Sequence, residues 1–331
     1  MKNRLEKLVN AKAENVLESA KVEYSFLPGN TAFPLVISPA YTGLILTEWI
    51  KKNKDLLKDK LHRHGAILFR GFEVDTVEKF ENFINVFDTS PLEYKQRSSP
   101  RYEVAKNIYH STTYPQDQHI NMHSENSYAQ HWAMKIIFCC IVPADEQGET
   151  PIADNRRVVD YLSPSTRQAF LNKGVRYVRN ISGEVGLSWQ EVFQTEDREK
   201  VEAECAANNM EFSWEDKDRL VLSWNGKAIH NHPDTNEEIW FNHAFFFNKY
   251  AYTEEVLAAF GSDADLPFNT CFGDGSEITK EEIGEIRSAY QKASVIFPWE
   301  KGDVLFMDNM LMAHGRNPYK GDRKIIVSML R

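Results

Sequence analysis

Apolar residues recur at helical spacing between Lys-rich gaps over residues 42–60, which predicts a helix that stops before Gly65. "AILFRGF" follows as a short apolar run and predicts a buried strand. In "DTVEKFENFINVF", Phe80, Phe83, Ile84 and Phe87 fall on one helical stripe, with Asp75 as the expected cap and Glu78 three residues on. "AMKIIFCCIV", residues 133–142, predicts a second strand. "SPSTRQAFLNKG" predicts a short helix ended by Gly174, and "VRYVRNI" a strand after it.

Residues 188–218 are densely charged and predict a largely helical insertion rather than sheet. "RLVLSW", "AIHNH" and "EEIWFN" then predict short strands, with "PDTNEE" supplying turn chemistry. Thr279 and Glu282 fit a capping box that opens a helix to about residue 293. "GDVLFMDNM" and "RKIIVSML" predict two closing strands around "LMAHGRNPYKG". Helices come early and short strands late, so the expected class is α+β, with a β-sandwich or small barrel at its core and added helices.

The chain's 331 residues, 42% of them apolar, suffice for a large core. No repeat, low-complexity tract or long linker divides them, so a single domain spanning 1–331 is expected. The formal charge of -9 is spread along the chain, and no basic block points to nucleic acid. The four cysteines form no CxxC pair, and the adjacent Cys139 and Cys140 fall in an apolar run that reads as core. The opening segment lacks the apolar stretch of a secretory signal. No run approaches the roughly 18 apolar residues of a membrane span. A cytoplasmic protein with no membrane contact is the expectation.

Candidate chemistry starts at "INMHSENSYAQHWAMKIIF". His123 and Glu125 are two apart, and on extended backbone such residues share a face. An imidazole and a carboxylate can then reach one metal ion. The other pairs are weaker. His62 and His64 lie in a Lys- and Arg-rich segment and read as surface. A shared helix face for His119 and His123 is disfavoured by Pro115, and His230 and His232 have no third ligand suggested by spacing. His314, far along the chain in "DNMLMAHGRNPYKGDRK", completes two histidines and one carboxylate, the set that holds Fe(II) on one face and leaves positions open. A structural zinc site would be closed and usually Cys-rich.

Open iron that activates O2 needs electrons, which 2-oxoglutarate supplies in many enzymes. Its distal carboxylate requires a fixed cation. Arg323, nine residues after His314, offers a guanidinium for a two-pronged bond. Thr150, in "GETPIADNR", is the candidate hydroxyl beside it.

"HSENSYAQHWAMKIIFCC", "GETPIADNRRV" and "KGDVLFMDNMLMAHGRNPYKGDRKIIVSM", with "GAILFRGF" and "STTYPQDQHINMHSE", resemble the Fe(II)/2-oxoglutarate dioxygenases of the taurine dioxygenase (TauD/TfdA) family. More narrowly they are similar to its clavaminate synthase-like and syringomycin-biosynthesis hydroxylase-like branch. The resemblance covers roughly residues 60–160 and 220–331. It implies a double-stranded β-helix, or jelly-roll, core with flanking helices. It implies His123, Glu125 and His314 as iron ligands, Thr150 and Arg323 as the 2-oxoglutarate site, and O2 as second cosubstrate. Glu125 stands where many family members have Asp, and Lys324 where a second Arg often follows. Strand alternation sends Arg323 and Lys324 to opposite faces, and Arg323 is taken as the inward one. In halogenases of this iron class a small residue replaces the carboxylate ligand, so Glu125 argues against halogenation.

The expected reaction is hydroxylation of an unactivated C–H bond in an amino acid or amino-acid-derived intermediate, free or carrier-tethered. Desaturation, cyclisation and sulfonate oxidation are alternatives within the class. Outside it stand a metal-binding jelly roll without oxygenase activity and a zinc hydrolase. Arg97, Ser98, Thr112, Tyr114 and Asn242 are the expected substrate contacts, with Arg101 and Ser111 nearby and His243 read as packing with the Phe run.

Overall fold

A computed structural model describes residues 21–30, 32–87, 103–112, 114–183, 186–215 and 218–331. Arg97, Ser98 and Arg101 lie outside the described residues. An eight-stranded sheet runs in the order Val22–Phe26, Leu35–Pro39, Ala66–Phe69, Val304–Asp308, Lys135–Val142, Lys324–Leu330, Ile108–His110, Glu103–Ala105. Its pairings are antiparallel except that between Leu35–Pro39 and Ala66–Phe69.

Alternation along these strands sorts their side chains between two cores. Ile67, Phe69, Ile137, Cys139, Val304 and Phe306 point one way. There they pack on Trp49, Ile50, Leu57, Leu61, Phe80 and Phe83 of three flanking helices. Leu68, Ile136, Phe138, Cys140, Leu305, Met307 and Ile325 point the other way, onto Ile152 and Met312. Those two belong to a four-stranded sheet ordered Ser294–Val295, Ile152–Asp154, Met312–Arg316, Ile120–His123. The molecule therefore has helices, a large mixed sheet and a small antiparallel sheet in layers, the α+β arrangement expected.

A third core joins the Asn155–Tyr161, Pro164–Lys173 and Lys280–Ala293 helices to a second four-stranded sheet. That sheet is ordered Glu211–Glu215, Arg219–Gly226, Val175–Ile181, Phe268–Phe272. The Thr279–Glu282 capping box opens the long helix, and Gly174 closes its shorter neighbour. The insertion is only partly helical: Trp189–Phe193 and Arg198–Ala207 are helices, but Glu211–Glu215 is an edge strand. Its polar alternation is hidden among charges because only one face is covered.

Other expectations shift locally. Residues 42–60 hold not one helix but two, Leu46–Lys52 and Lys54–His64. Asn53 divides them, its side-chain amide donating to the Trp49 carbonyl at 2.8 Å. The cap of Val77–Ile84 is Thr76, whose side chain accepts from the Lys79 N–H, while Asp75 pairs with the Lys79 ammonium. His64 is buried, not surface, and its Nδ1 donates to the Ala32 carbonyl at 2.7 Å. His232 is also buried, within 3.2 Å of Asp308. The segment "LMAHGRNPYKG" is itself largely strand, Met312–Arg316 and Tyr319–Lys320. Among the described residues, no helix is long and apolar enough to cross a membrane.

Candidate active site

The small sheet brings the distant histidine to the HxE pair. Met312–Arg316 lies at its centre, and His314 pairs directly opposite His123 at the end of Ile120–His123. The rings are 4.4 Å apart, centroid to centroid. Met312 is in the core between sheets, so the same alternation turns His314 and Arg316 inward. Phe138 of the large sheet packs edge-on to His314. Gly315 lets the strands close up: a Cβ there would come within 2.7 Å of the Ile120 carbonyl oxygen. The ladder shifts register at this point, which re-aims the strand end.

Past His123 the chain leaves the strand, and Asn126 takes a left-handed turn, φ 54°. Glu125 is 3% exposed. Its backbone is gripped by one side chain. The Asn309 Oδ1 accepts from the Glu125 N–H at 2.8 Å, and its Nδ2 donates to the Glu125 carbonyl at 2.9 Å and the Ala133 carbonyl at 2.8 Å. Asn155 secures the intervening Ser124, donating to its Oγ at 2.9 Å and to the Met310 carbonyl at 2.8 Å.

One donor atom from each of His123, Glu125 and His314 falls within 4.8 Å of the others. Two imidazole nitrogens and a carboxylate oxygen suit Fe(II), and three protein donors leave coordination positions open. His123 Nδ1 lies 2.9 Å from the Asn121 carbonyl, so it carries the ring proton and Nε2 is left to bind metal. The donor set fits a divalent iron centre.

These residues line a cavity of about 720 Å³. Arg323 lines it too. Its Nε donates to the Gly148 carbonyl at 2.8 Å, and its terminal nitrogens reach Thr150 Oγ1 at 3.4 Å and Ser111 Oγ at 3.5 Å. Trp299 Nε1 donates to Thr150 Oγ1 at 3.1 Å. Gly148 leaves room for the Arg323 stem, since a Cβ there would meet its Cδ at 3.1 Å. Burial, followed by the nearby Arg316 charge, brings the Arg323 guanidinium down to about 10. An anion beside the guanidinium would offset both effects. Lys324 does not line it.

Thr112 and Tyr114 line the cavity, Tyr114 being 52% exposed. Asn242 is not: it is buried, its Nδ2 donating to the Ala228 carbonyl and its Oδ1 accepting from the Ala244 N–H, both at 2.8 Å. An Asn satisfied by backbone on both ends is a turn brace. Sequence reasoning missed Arg316, Arg179, Tyr128 and the cavity faces of His243, Phe246 and Phe268. Arg316 could have been found by alternation from His314. The others are placed only by the tertiary packing of separate segments. Arg316 donates to the carbonyls of Tyr114 at 2.8 Å, Gln118 at 2.6 Å, and Pro115. His243 is buried among Tyr128, Phe246 and Phe247, and burial, with the His123 charge second, holds its imidazole well below the usual range.

Residues 31–330 match the family model described as taurine catabolism dioxygenase TauD, TfdA family. The chain belongs to the TauD/TfdA family. It is an iron- and 2-oxoglutarate-dependent dioxygenase. The dioxygenase is 38% identical over 274 residues to the dapdiamide synthesis protein DdaC of Enterobacter agglomerans, covering 82% of this chain and 83% of that one. It is 27% identical over 321 residues to a clavaminate synthase-like protein of Arabidopsis thaliana, covering 90% and 94%. Both support the clavaminate synthase-like branch. Among solved structures it is similar in fold to PvcB of Pseudomonas aeruginosa, at 14% identity and a TM-score of 0.56 over 94% of this chain and 91% of that one.

Proposed function

We propose that this dioxygenase hydroxylates an unactivated C–H bond of an amino acid, or of an amino-acid-derived intermediate in natural-product synthesis, free or carrier-tethered. His123, Glu125 and His314 hold Fe(II); Arg323 and Thr150 hold the distal carboxylate of 2-oxoglutarate. The two sheets that share the inner core form the double-stranded β-helix, within one domain spanning the chain. When bound, Fe(II) with 2-oxoglutarate and O2 supplies oxidation of the C–H bond, coupled to decarboxylation of the cosubstrate to succinate and CO2.

The observation that carries this reading is the convergence of the three donors and the Arg323 guanidinium on one cavity. The cavity also exceeds the need of the cosubstrate, so a second small molecule fits beside it. A relative named for dapdiamide synthesis at 38% identity supports an amino-acid scaffold. The protein's part is orientation and exclusion of water. Asn309 and Asn155 fix the donor-bearing segment, Asn121 sets the His123 tautomer, and Tyr128, Phe246 and Phe268 give an aromatic wall.

The test is a panel of free amino acids, simple sulfonates and carrier-loaded aminoacyl groups, scored by succinate release and product mass. A gain of one oxygen on an amino-acid scaffold is expected. A loss of two hydrogens would move the enzyme to desaturation or cyclisation. A response to sulfonates alone would reject the amino-acid substrate.

A further inference from the structure

The pattern "FNHAFFFN" assigns His243 to packing, yet the structure gives its ring a directed hydrogen bond in the cavity wall. Ser127 Oγ lies 2.7 Å from His243 Nδ1, and both residues are buried. That imidazole is the one hydrogen-bond partner of the Ser127 hydroxyl among the described residues. A hydroxyl that accepted from Nδ1–H would leave its own buried proton without an acceptor, whereas donation to Nδ1 pairs the hydroxyl and leaves the unpaired N–H on a ring that lines the cavity, within reach of a ligand. Nδ1 is then the acceptor, and the ring proton sits on Nε2.

His243 is 3% exposed and lines the same cavity as the three donors. Its ring is edge-on to His123 at 5.8 Å between centroids. Tyr128, Phe246 and Phe247 pack around it. Nε2 has no hydrogen-bond partner among the described residues. An N–H set in an aromatic wall without an acceptor asks for one from the ligand.

We propose that His243, oriented by Ser127, is the hydrogen-bond donor that recognises a carboxylate or amide oxygen of the substrate and sets its place beside His123. This rests on the oxygenase reading of the same cavity and narrows its substrate. A carboxylate or amide oxygen accepts without bringing a proton of its own. An alcohol would bring a proton toward the apolar faces of Phe246 and Phe247. The apolar remainder of the ligand faces those rings and Phe268.

The experiment uses the full chain loaded anaerobically with Fe(II) and 2-oxoglutarate, whose visible charge-transfer band reports cosubstrate binding. L-leucine, N-acetyl-L-leucine amide and L-leucinol are titrated in, and the shift of that band gives a Kd for each without turnover. The wild type is expected to bind the acid or the amide about tenfold more tightly than the amino alcohol. His243→Phe should reduce that preference to below about twofold, while His243→Gln, which keeps an N–H donor, should retain most of it. Ser127→Ala should weaken the preference without abolishing it, because Nδ1 loses the donor that sets the tautomer. The acid and amide arms separate the two oxygen sources. An unchanged preference in His243→Phe, at an unchanged 2-oxoglutarate Kd, would overturn the proposal. So would a wild type in which the band forms but none of the three probes moves it. A wild type that forms no band overturns the oxygenase reading itself, and this inference with it.

Discussion

His123 and His314 face each other as a register pair of neighbouring antiparallel strands, with ring centroids 4.4 Å apart. Their spacing is thus set by backbone ladder geometry rather than by side-chain reach. Removing either ring should leave a two-donor site that holds Fe(II) poorly. His123→Ala and His314→Ala should each abolish succinate production and the anaerobic charge-transfer band. Normal turnover in both would refute the three-donor centre. Glu125→Ala should bind iron weakly and lose hydroxylation.

The proposed cosubstrate site distinguishes two adjacent cations, since Arg323 lines the cavity and Lys324 does not. Arg323→Ala removes the buried guanidinium, and the dissociation constant for 2-oxoglutarate should rise by the equivalent of about 2–5 kcal/mol. Lys324→Ala should change it little. Titration of the charge-transfer band measures both, and the reverse ranking would mean that the strand presents its other face.

Asn309 holds both backbone groups of Glu125. Asn309→Ala should cost about 1–3 kcal/mol of stability for the polar groups left unpaired. It should also lower metal affinity at temperatures where the protein remains folded, as read by competition with a chelator. A loss of stability with unchanged affinity would limit Asn309 to a structural role.

Three imidazoles outside the cavity set a pH dependence. Burial holds His62, His64 and His230 below the usual histidine range, so the unfolded chain binds protons that the native state resists. Stability from these groups is fully present above the ordinary histidine value and is lost as pH falls through the lowered ones. The urea midpoint should therefore drop between pH 7.5 and 5.5, by less in His64→Gln. An equal drop in wild type and variant would exclude His64 from the effect.

Much of this was legible from local pattern. The Phe80–Phe83–Ile84 stripe, the Thr279–Glu282 box and the apolar runs of the large sheet declare themselves because burial on one face leaves a period in the sequence. The HxE pair and His314 are legible because few chemistries need that set. The Met312–Arg316 strand was hidden: both its faces are buried, so its side chains are mixed rather than alternating. Glu211–Glu215 was hidden for the opposite reason, as an edge strand with little burial. Asn242 shows a different limit, since a polar residue in an aromatic run reads alike whether it faces a ligand or a backbone turn. His243 shows its converse, because the Ser127 contact joins residues far apart in the chain.

Arg316 carries one further meaning. Its guanidinium is fastened to the carbonyls of Tyr114, Pro115 and Gln118, while its backbone continues the strand that bears His314 only two residues away. The exposed rim of the cavity at Tyr114 and the His314 strand therefore meet at one guanidinium. Tyr114 and the strand that bears His314 are thus held in one position by a single side chain, so the 114–118 segment and the His314 strand share one anchor.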